Sequence, residues 1–330
     1  METSYNINCS LCLSPKLQFR GILDFTTIVR GYKKFLGIDI GTIKSSPVDT
    51  DKIYVYECSQ CHLTFFQPAI VGDESFYCEL GKRDRYYMNN KWEFEQALSD
   101  ILPSYRVLEI GCGAGNFLRK LKNKGLRQIM GIDLNENTLN EAKRKGSDVC
   151  NTSVEELAKY ESQSFDAVCS FQVLEHVRDP RSFLNASTEL LKPGGKLIIG
   201  IPNSEGFLKE IKFSLLDMPP HHMTRWNMKV ISYLEKILPL RIERYCFEPI
   251  AEYHIAWYAR NKLLNYVEKI LGKKMTNFLD EFIVSRKLLS GLSRYLFLPM
   301  LLITGVLRKT KGHTLYVKYR KITKNESSNS

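Results

Sequence analysis

The segment Val107–Gly115, VLEIGCGAG, constrains this chain more than any other. A short run that reads as a buried strand enters three glycines at alternate positions, Gly111, Gly113 and Gly115. Glycines there permit positive φ and let a ligand approach the backbone closely. The spacing is GxGxG, and Asn116 stands where a GxGxxG loop wants glycine. Glu109 sits just before the loop, where a carboxylate can face a cationic group. Asp133 ends the next strand 22 residues after Gly111, placed to accept the hydroxyls of a ribose.

Strand and helix patterns alternate around this loop. Arg106–Ile110, Gln128–Leu134, Asp148–Cys150, Phe165–Phe171 and Lys196–Ile201 read as strands. Asn116–Lys124, Asn135–Lys145 and Arg181–Leu191 read as helices. Asn135 can cap the second helix, and Pro193-Gly194-Gly195 closes the third. Two later strands are expected at Arg241–Phe247 and His313–Lys321. The pattern predicts an α/β, Rossmann-like fold: a seven-stranded, mostly parallel sheet with helices on both faces. A small zinc-ribbon-like segment precedes it. The expected divisions are 1–80 for that segment, 81–105 for a helical linker or lid running through Tyr86, Tyr87 and Trp92, 106–206 for the cofactor core, and 207–330 for the acceptor side and last strands.

Four segments in order, VLEIGCGAGNFL, GIDLNE, FDAVCSFQVLEHVRDPRSFL and LLKPGGKLIIGIPN, resemble the class I S-adenosylmethionine-dependent methyltransferases. The resemblance implies the cofactor and its ligands. Glu109, Gly111, Cys112, Gly113 and Gly115 match the first motif and would hold the methionine end and the sugar. Asp133 matches the ribose acid, and Leu134 would flank the adenine. Ser170 and Phe171 match the strand segment beside the methionine chain. The family often shows an acid after the third strand that bonds the adenine amine. Here Ser153, followed by Val154, stands in its place, so the Ser153 hydroxyl or backbone would meet that amine.

Cys9-Ser10-Leu11-Cys12 and Cys58-Ser59-Gln60-Cys61 supply four thiolates, which can close a tetrahedral zinc site. His62 is a substitute ligand, and buried free thiols are the alternative. Cys78, Cys112, Cys150, Cys169 and Cys246 read as packing residues. A zinc-binding N-terminal segment is similar to a subset of the same family. Phe76-Tyr77, Tyr86-Tyr87, Lys91-Trp92-Glu93 and the stretch PPHHMTRW, from Pro219 to Trp226, resemble its members associated with bacterial surface-glycan and sugar biosynthesis.

Methyl transfer is an in-line displacement, and a hydroxyl acceptor also needs a base. His176 follows the fourth strand at the carboxyl end of the sheet. His221 and His222 fall in a loop with Arg225 and Trp226, which suits an acceptor pocket. His221 or His222 is the first choice of base, and His176 the next; a purely structural role is the competing reading for each.

Residues 207–330 hold 22 Lys and Arg against 10 Asp and Glu, a balance of +12. The other 206 residues balance to −1, so the whole excess sits in the last third. That points to an anionic acceptor or a peripheral membrane contact ahead of nucleic acid. Tyr295–Leu307 is apolar with basic ends, which suits either a core helix or a membrane interface. No run of 18 apolar residues and no signal peptide is visible, so a cytoplasmic place, peripheral at the inner membrane face, is expected. The expected function is methyl transfer to a sugar, sugar nucleotide or lipid-linked glycan. An RNA methyltransferase and a non-catalytic cofactor-binding module are the alternatives.

Overall fold

The computed structural model describes residues 7–41, 51–83, 88–211, 214–272, 291, 293, 297–303 and 305–323. β1 (Leu17–Asp24) leads into α1 (Phe25–Gly31), where the Asp24 carboxylate accepts from Thr26 N and caps the helix. β2 (Lys52–Cys58) and β3 (Thr64–Gln67) form hairpin partners. α2 (Glu74–Gly81) starts at Asp73, which accepts from Phe76 N. α3 (Trp92–Asp100) follows. The expected helix over 81–105 is therefore confined to its middle among the described residues; Tyr86 and Tyr87 lie outside them.

The central run is β4 (Val107–Ile110), α4 (Asn116–Asn123), β5 (Ile129–Asp133), α5 (Glu136–Arg144), β6 (Val149–Asn151), α6 (Val154–Ala158), β7 (Phe165–Phe171), α7 (Pro180–Glu189) and β8 (Leu191–Pro202). Asn135 caps α5 as its sequence suggests, accepting from Asn137 N and Thr138 N at 3.0 and 3.3 Å. Pro193-Gly194-Gly195 does not close α7. It lies inside β8, where Gly194 takes φ +77° at the start of the strand. The chain then passes through β9 (Thr224–Arg225), α8 (Met228–Ile237), β10 (Leu240–Pro249), α9 (Glu252–Leu271) and β11 (Lys311–Lys321).

The main sheet has seven strands in the order β10-β11-β8-β7-β4-β5-β6. The five from β8 to β6 are parallel, and β11 runs antiparallel to both β8 and β10. From β4 the chain winds outward through β5 and β6, then returns to place β7 on the other side of β4. The strand order thus reverses between β4 and β7, and ligands of open α/β sheets bind at the carboxyl ends of such a pair.

One face of this junction is closed by a ring cluster. Phe171 lies 5.2 Å from Phe94 and 4.8 Å from Phe117, centroid to centroid. Each such side chain contributes roughly 1.5–3 kcal/mol by burial. The cluster fixes α3 and α4 against the sheet beneath the glycine loop.

A second sheet has the order β1-β2-β3-β9. Its last strand comes from the segment that follows β8 in the chain: Phe65 pairs with Thr224 and Thr64 with Arg225. The N-terminal sheet is therefore completed by the segment that follows His221 and His222. Within Tyr295–Leu307, Leu301 and Leu307 are buried against Phe207 and Tyr258; Tyr295 and Leu296 lie outside the described residues. Among the described residues no helix is long and apolar enough to cross a membrane.

Candidate active site

The glycine loop crosses the carboxyl end of β4. Gly111, Gly113 and Gly115 take φ +72°, +50° and +73°. A Cβ on Gly111 would stand 2.3 Å from Val173 Cγ2, so the loop packs directly on the turn after β7. Asp133 pins the loop. Its Oδ2 accepts from Gly113 N and its Oδ1 from Asn135 N, both at 2.8 Å. Burial raises the Asp133 pKa against the pull of those backbone donors.

Glu109 is 3% exposed, and its Oε2 has no hydrogen-bond partner among the described residues. Burial pushes its pKa well above the carboxylate range, opposed by nearby Lys91. Ser170 Oγ, on the neighbouring strand, is likewise buried without a partner. Such orphaned groups call for a bound donor or acceptor. Leu134 is exposed and open to a planar ligand. Val154 begins α6, and Ser153 Oγ caps that helix, accepting from Glu156 N at 3.2 Å.

Two matched residues contribute no side chain here. Strand alternation turns Phe171 away from Ser170 and into the ring cluster. Cys112 packs with Leu118, Leu139 and Ala142, leaving its backbone to the loop.

The turn after β7 carries the second half of the site. Gln172 takes φ +58° and is held by Nε2 bonds to Glu93 Oε1 at 3.1 Å and Thr314 Oγ1 at 3.4 Å. A 3-10 turn, Leu174–His176, follows. His176, His221 and His222 converge there. Their ring centroids are 4.4, 5.0 and 4.6 Å apart. Sequence places them 45 residues apart; the backbone bond from Met223 N to Glu175 O, 2.7 Å, joins the two loops.

Each imidazole faces an acceptor through Nδ1: His176 to His221 O at 2.6 Å, His221 to Leu216 O at 2.7 Å, and His222 to Asp217 Oδ1 at 3.3 Å. Carbonyl and carboxylate oxygens cannot donate, so each Nδ1 carries the proton and each Nε2 the lone pair. Burial lowers the His176 pKa to about 4 and those of His221 and His222 well below the ordinary value. All three rings are neutral at pH 7. Glu175 beside them is 1% exposed, and burial raises its pKa to about 8.

Arg225 and Trp226 do not open onto an acceptor pocket as expected. Trp226 is in the core and donates to Thr224 Oγ1 at 2.8 Å. Arg225 pairs with Asp217 at 2.9 Å and lies over Phe66. Glu175 and Asp217 escaped the sequence reading. Both had a signal in their spacing: Glu175 stands beside His176, and Asp217 stands five residues before His222.

Cys9, Cys12, Cys58 and Cys61 do come together. Cys9 and Cys61 Sγ are 3.4 Å apart, as are those of Cys12 and Cys58. All four fall within 4.8 Å. A tetrahedral zinc with Zn–S near 2.3 Å spaces sulfurs about 3.8 Å apart, so the donors fit that ion. His62 stands outside the cluster, 3.8 Å from Glu57. Cys150 is exposed rather than packed.

Residues 108–199 match the family model described as a methyltransferase domain. The chain is 38% identical over 136 residues to the ubiquinone biosynthesis O-methyltransferase of Hahella chejuensis, covering 38% of this chain and 57% of that one. It is 39% identical over 108 residues to the enzyme of the same name from Xanthomonas oryzae pv. oryzae, covering 31% and 45%. The chain thus spans about half the length of the curated relatives it matches. A SAM dependent methyltransferase from Archaeoglobus fulgidus overlays 69% of this chain and 94% of its own, with 20% identity and TM-score 0.44. The matched segment holds the glycine loop, Asp133 and the β4–β7 junction, and it is similar to methyltransferase domains.

Proposed function

We propose that the chain transfers a methyl group from S-adenosylmethionine to a hydroxyl of a small-molecule acceptor. The observation that carries this is the orphaned Glu109 carboxylate beneath a three-glycine loop pinned by Asp133. When bound, the cofactor supplies a sulfonium-activated methyl group. Glu109 receives the cationic amine of its methionine part. Asp133 has about four lone-pair sites and uses two on backbone N–H groups, which leaves two for ribose hydroxyls. Leu134 covers the adenine, and Ser153 or the backbone beside Val154 meets its amine.

His176 on the turn after β7 and the His221-His222 pair on the loop before β9 come together on the acceptor side. The relatives' names put O-methylation first. They lend no support to the sugar, sugar-nucleotide or glycan acceptor expected from the sequence, so the acceptor class is left as a hydroxyl-bearing small molecule. The +12 balance of residues 207–330 favours one that carries negative charge. The four-cysteine cluster holds Zn²⁺ and braces the acceptor loop through β9.

The test is incubation of the protein with labelled methyl donor and cell-extract metabolites, read by mass spectrometry. Label is expected on oxygen of an acidic small molecule. Failure of S-adenosylhomocysteine to bind would refute the cofactor assignment. Label found only in RNA would refute the acceptor class.

A further inference from the structure

The three histidines are poorly placed to act as simple bases. His221 and His222 are buried, and the three ring centroids stand 4.4, 5.0 and 4.6 Å apart. The same features suit a different task. A transition-metal site wants neutral imidazoles whose second nitrogen is fixed by a carbonyl or carboxylate, because that bond sets tautomer and ring orientation. All three rings meet that description, through His221 O, Leu216 O and Asp217 Oδ1. Asp217 is itself held by Arg225, Nε to Oδ2 at 2.9 Å. One ligand atom from each ring lies within 4.8 Å of the others. Glu175 gives an independent sign. Its Oε2 is buried without a partner among the described residues, while Oε1 stands 3.7 Å from His176 Nε2.

We propose that His176, His221 and His222 bind one divalent transition-metal ion through their Nε2 atoms, distinct from the four-cysteine cluster. Three imidazoles select borderline ions such as zinc, iron, cobalt or nickel over magnesium or calcium. Three protein ligands leave a further position for water or an acceptor oxygen, the open arrangement of reactive rather than structural sites. The inference rests on the acceptor reading above only for that last role. The ion binding itself stands on the ring geometry.

The test is titration of metal-free full chain with Co²⁺. Cobalt on the cysteines shows intense sulfur-to-metal charge transfer, and cobalt on imidazoles does not. A second equivalent without that band is expected. His176→Gln and His222→Gln should each abolish it, and Asp217→Asn should weaken it roughly 10–100-fold. Calorimetric titration with S-adenosylhomocysteine shows that each variant remains folded. The wild type gives a readout independent of any variant. Its cobalt form should show a hyperfine-shifted, exchangeable N–H proton from each of the three Nδ1 donors. Cobalt bound only to thiolates, or absence of those N–H resonances, overturns the proposal. So does a second equivalent that survives both glutamine variants. If cobalt binds as stated but no acceptor is methylated, the metal site holds and the acceptor reading fails.

Discussion

Asp133→Asn is the sharpest probe of the cofactor side. The wild-type carboxylate holds two loops at once, taking Gly113 N on Oδ2 and Asn135 N on Oδ1 at 2.8 Å each. Asparagine keeps one oxygen. Its amide group must then face the other N–H, donor against donor. The substitution removes one charge-assisted bond, worth about 1.5–3 kcal/mol. It also leaves the glycine loop free to shift and strips the charge that ribose hydroxyls would donate to. A net loss near the middle of that range, about 2 kcal/mol, corresponds to roughly 30-fold weaker S-adenosylhomocysteine binding. Calorimetric titration measures this directly. Because the ring cluster around Phe171 lies on the other face, cooperative unfolding should persist in denaturant. Unchanged affinity would refute the ribose assignment. Loss of cooperative unfolding would show that Asp133 serves the fold before the ligand.

Two further perturbations test the frame around the site. Gly111→Ala places a side chain at φ +72°, costing about 1–2 kcal/mol, and drives its Cβ toward Val173; cofactor affinity should fall, and recover in part in Gly111→Ala/Val173→Ala, whereas no recovery would discard the steric account. Asp100 ties α3 to the last strands through Lys318, Tyr316 and Arg244, at 2.7–2.8 Å. Burial would raise its pKa, but those donors overcome burial and hold it below the ordinary value. A lowered folded pKa gives stability that is present above the unfolded value near 3.9 and lost as pH falls through the folded one. Asp100→Asn should therefore cost about 3 kcal/mol at pH 7 and flatten that acid limb in denaturant titrations from pH 2 to 7; an unaltered acid limb would assign the loss to other carboxylates.

The parts of the fold carried by local pattern were legible in the sequence. β4, its glycines, the Asn135 cap and the two late strands each have a periodicity or a turn residue that needs no tertiary knowledge. What escaped notice depends on contacts between distant segments. β9 is two residues long and shows no alternation, so nothing local marks it as the edge of the N-terminal sheet. The resemblance pairs Ser170 with Phe171, yet a strand sends neighbours to opposite faces, and Phe171 packs into the ring cluster. Trp226 and Arg225 look like pocket residues in a polar loop until packing shows one in the core and the other paired with Asp217. The burial that pushes Glu175 upward and the three imidazoles downward is likewise a property of the assembled loops.

That assembly gives the cysteine cluster a specific consequence. Cys58 ends β2, Cys61 lies three residues before the start of β3, and β3 pairs with β9 just beyond His222. Phe66 N bonds Met223 O at 3.3 Å, and Gly72 N bonds Pro220 O at 2.8 Å. The sheet anchored by the cysteines thus holds the loop carrying His221 and His222 from outside. The glycine loop, Glu109 and Asp133 belong to the other sheet. If zinc closes both CxxC turns, Cys58→Ser should lower bound zinc and thermal stability, because the metal is coupled to local folding. The damage should fall on acceptor turnover. Affinity for S-adenosylhomocysteine should change by less than about threefold, because the hydrogen bonds that join Gly113, Asp133 and Asn135 are made without the cysteine sheet. Metal analysis, thermal unfolding and calorimetry on one preparation separate these outcomes. An equal collapse of cofactor affinity would mean that the cluster supports the whole fold and has no particular claim on the histidine loop. Unaltered zinc content would remove Cys58 from the ligand set.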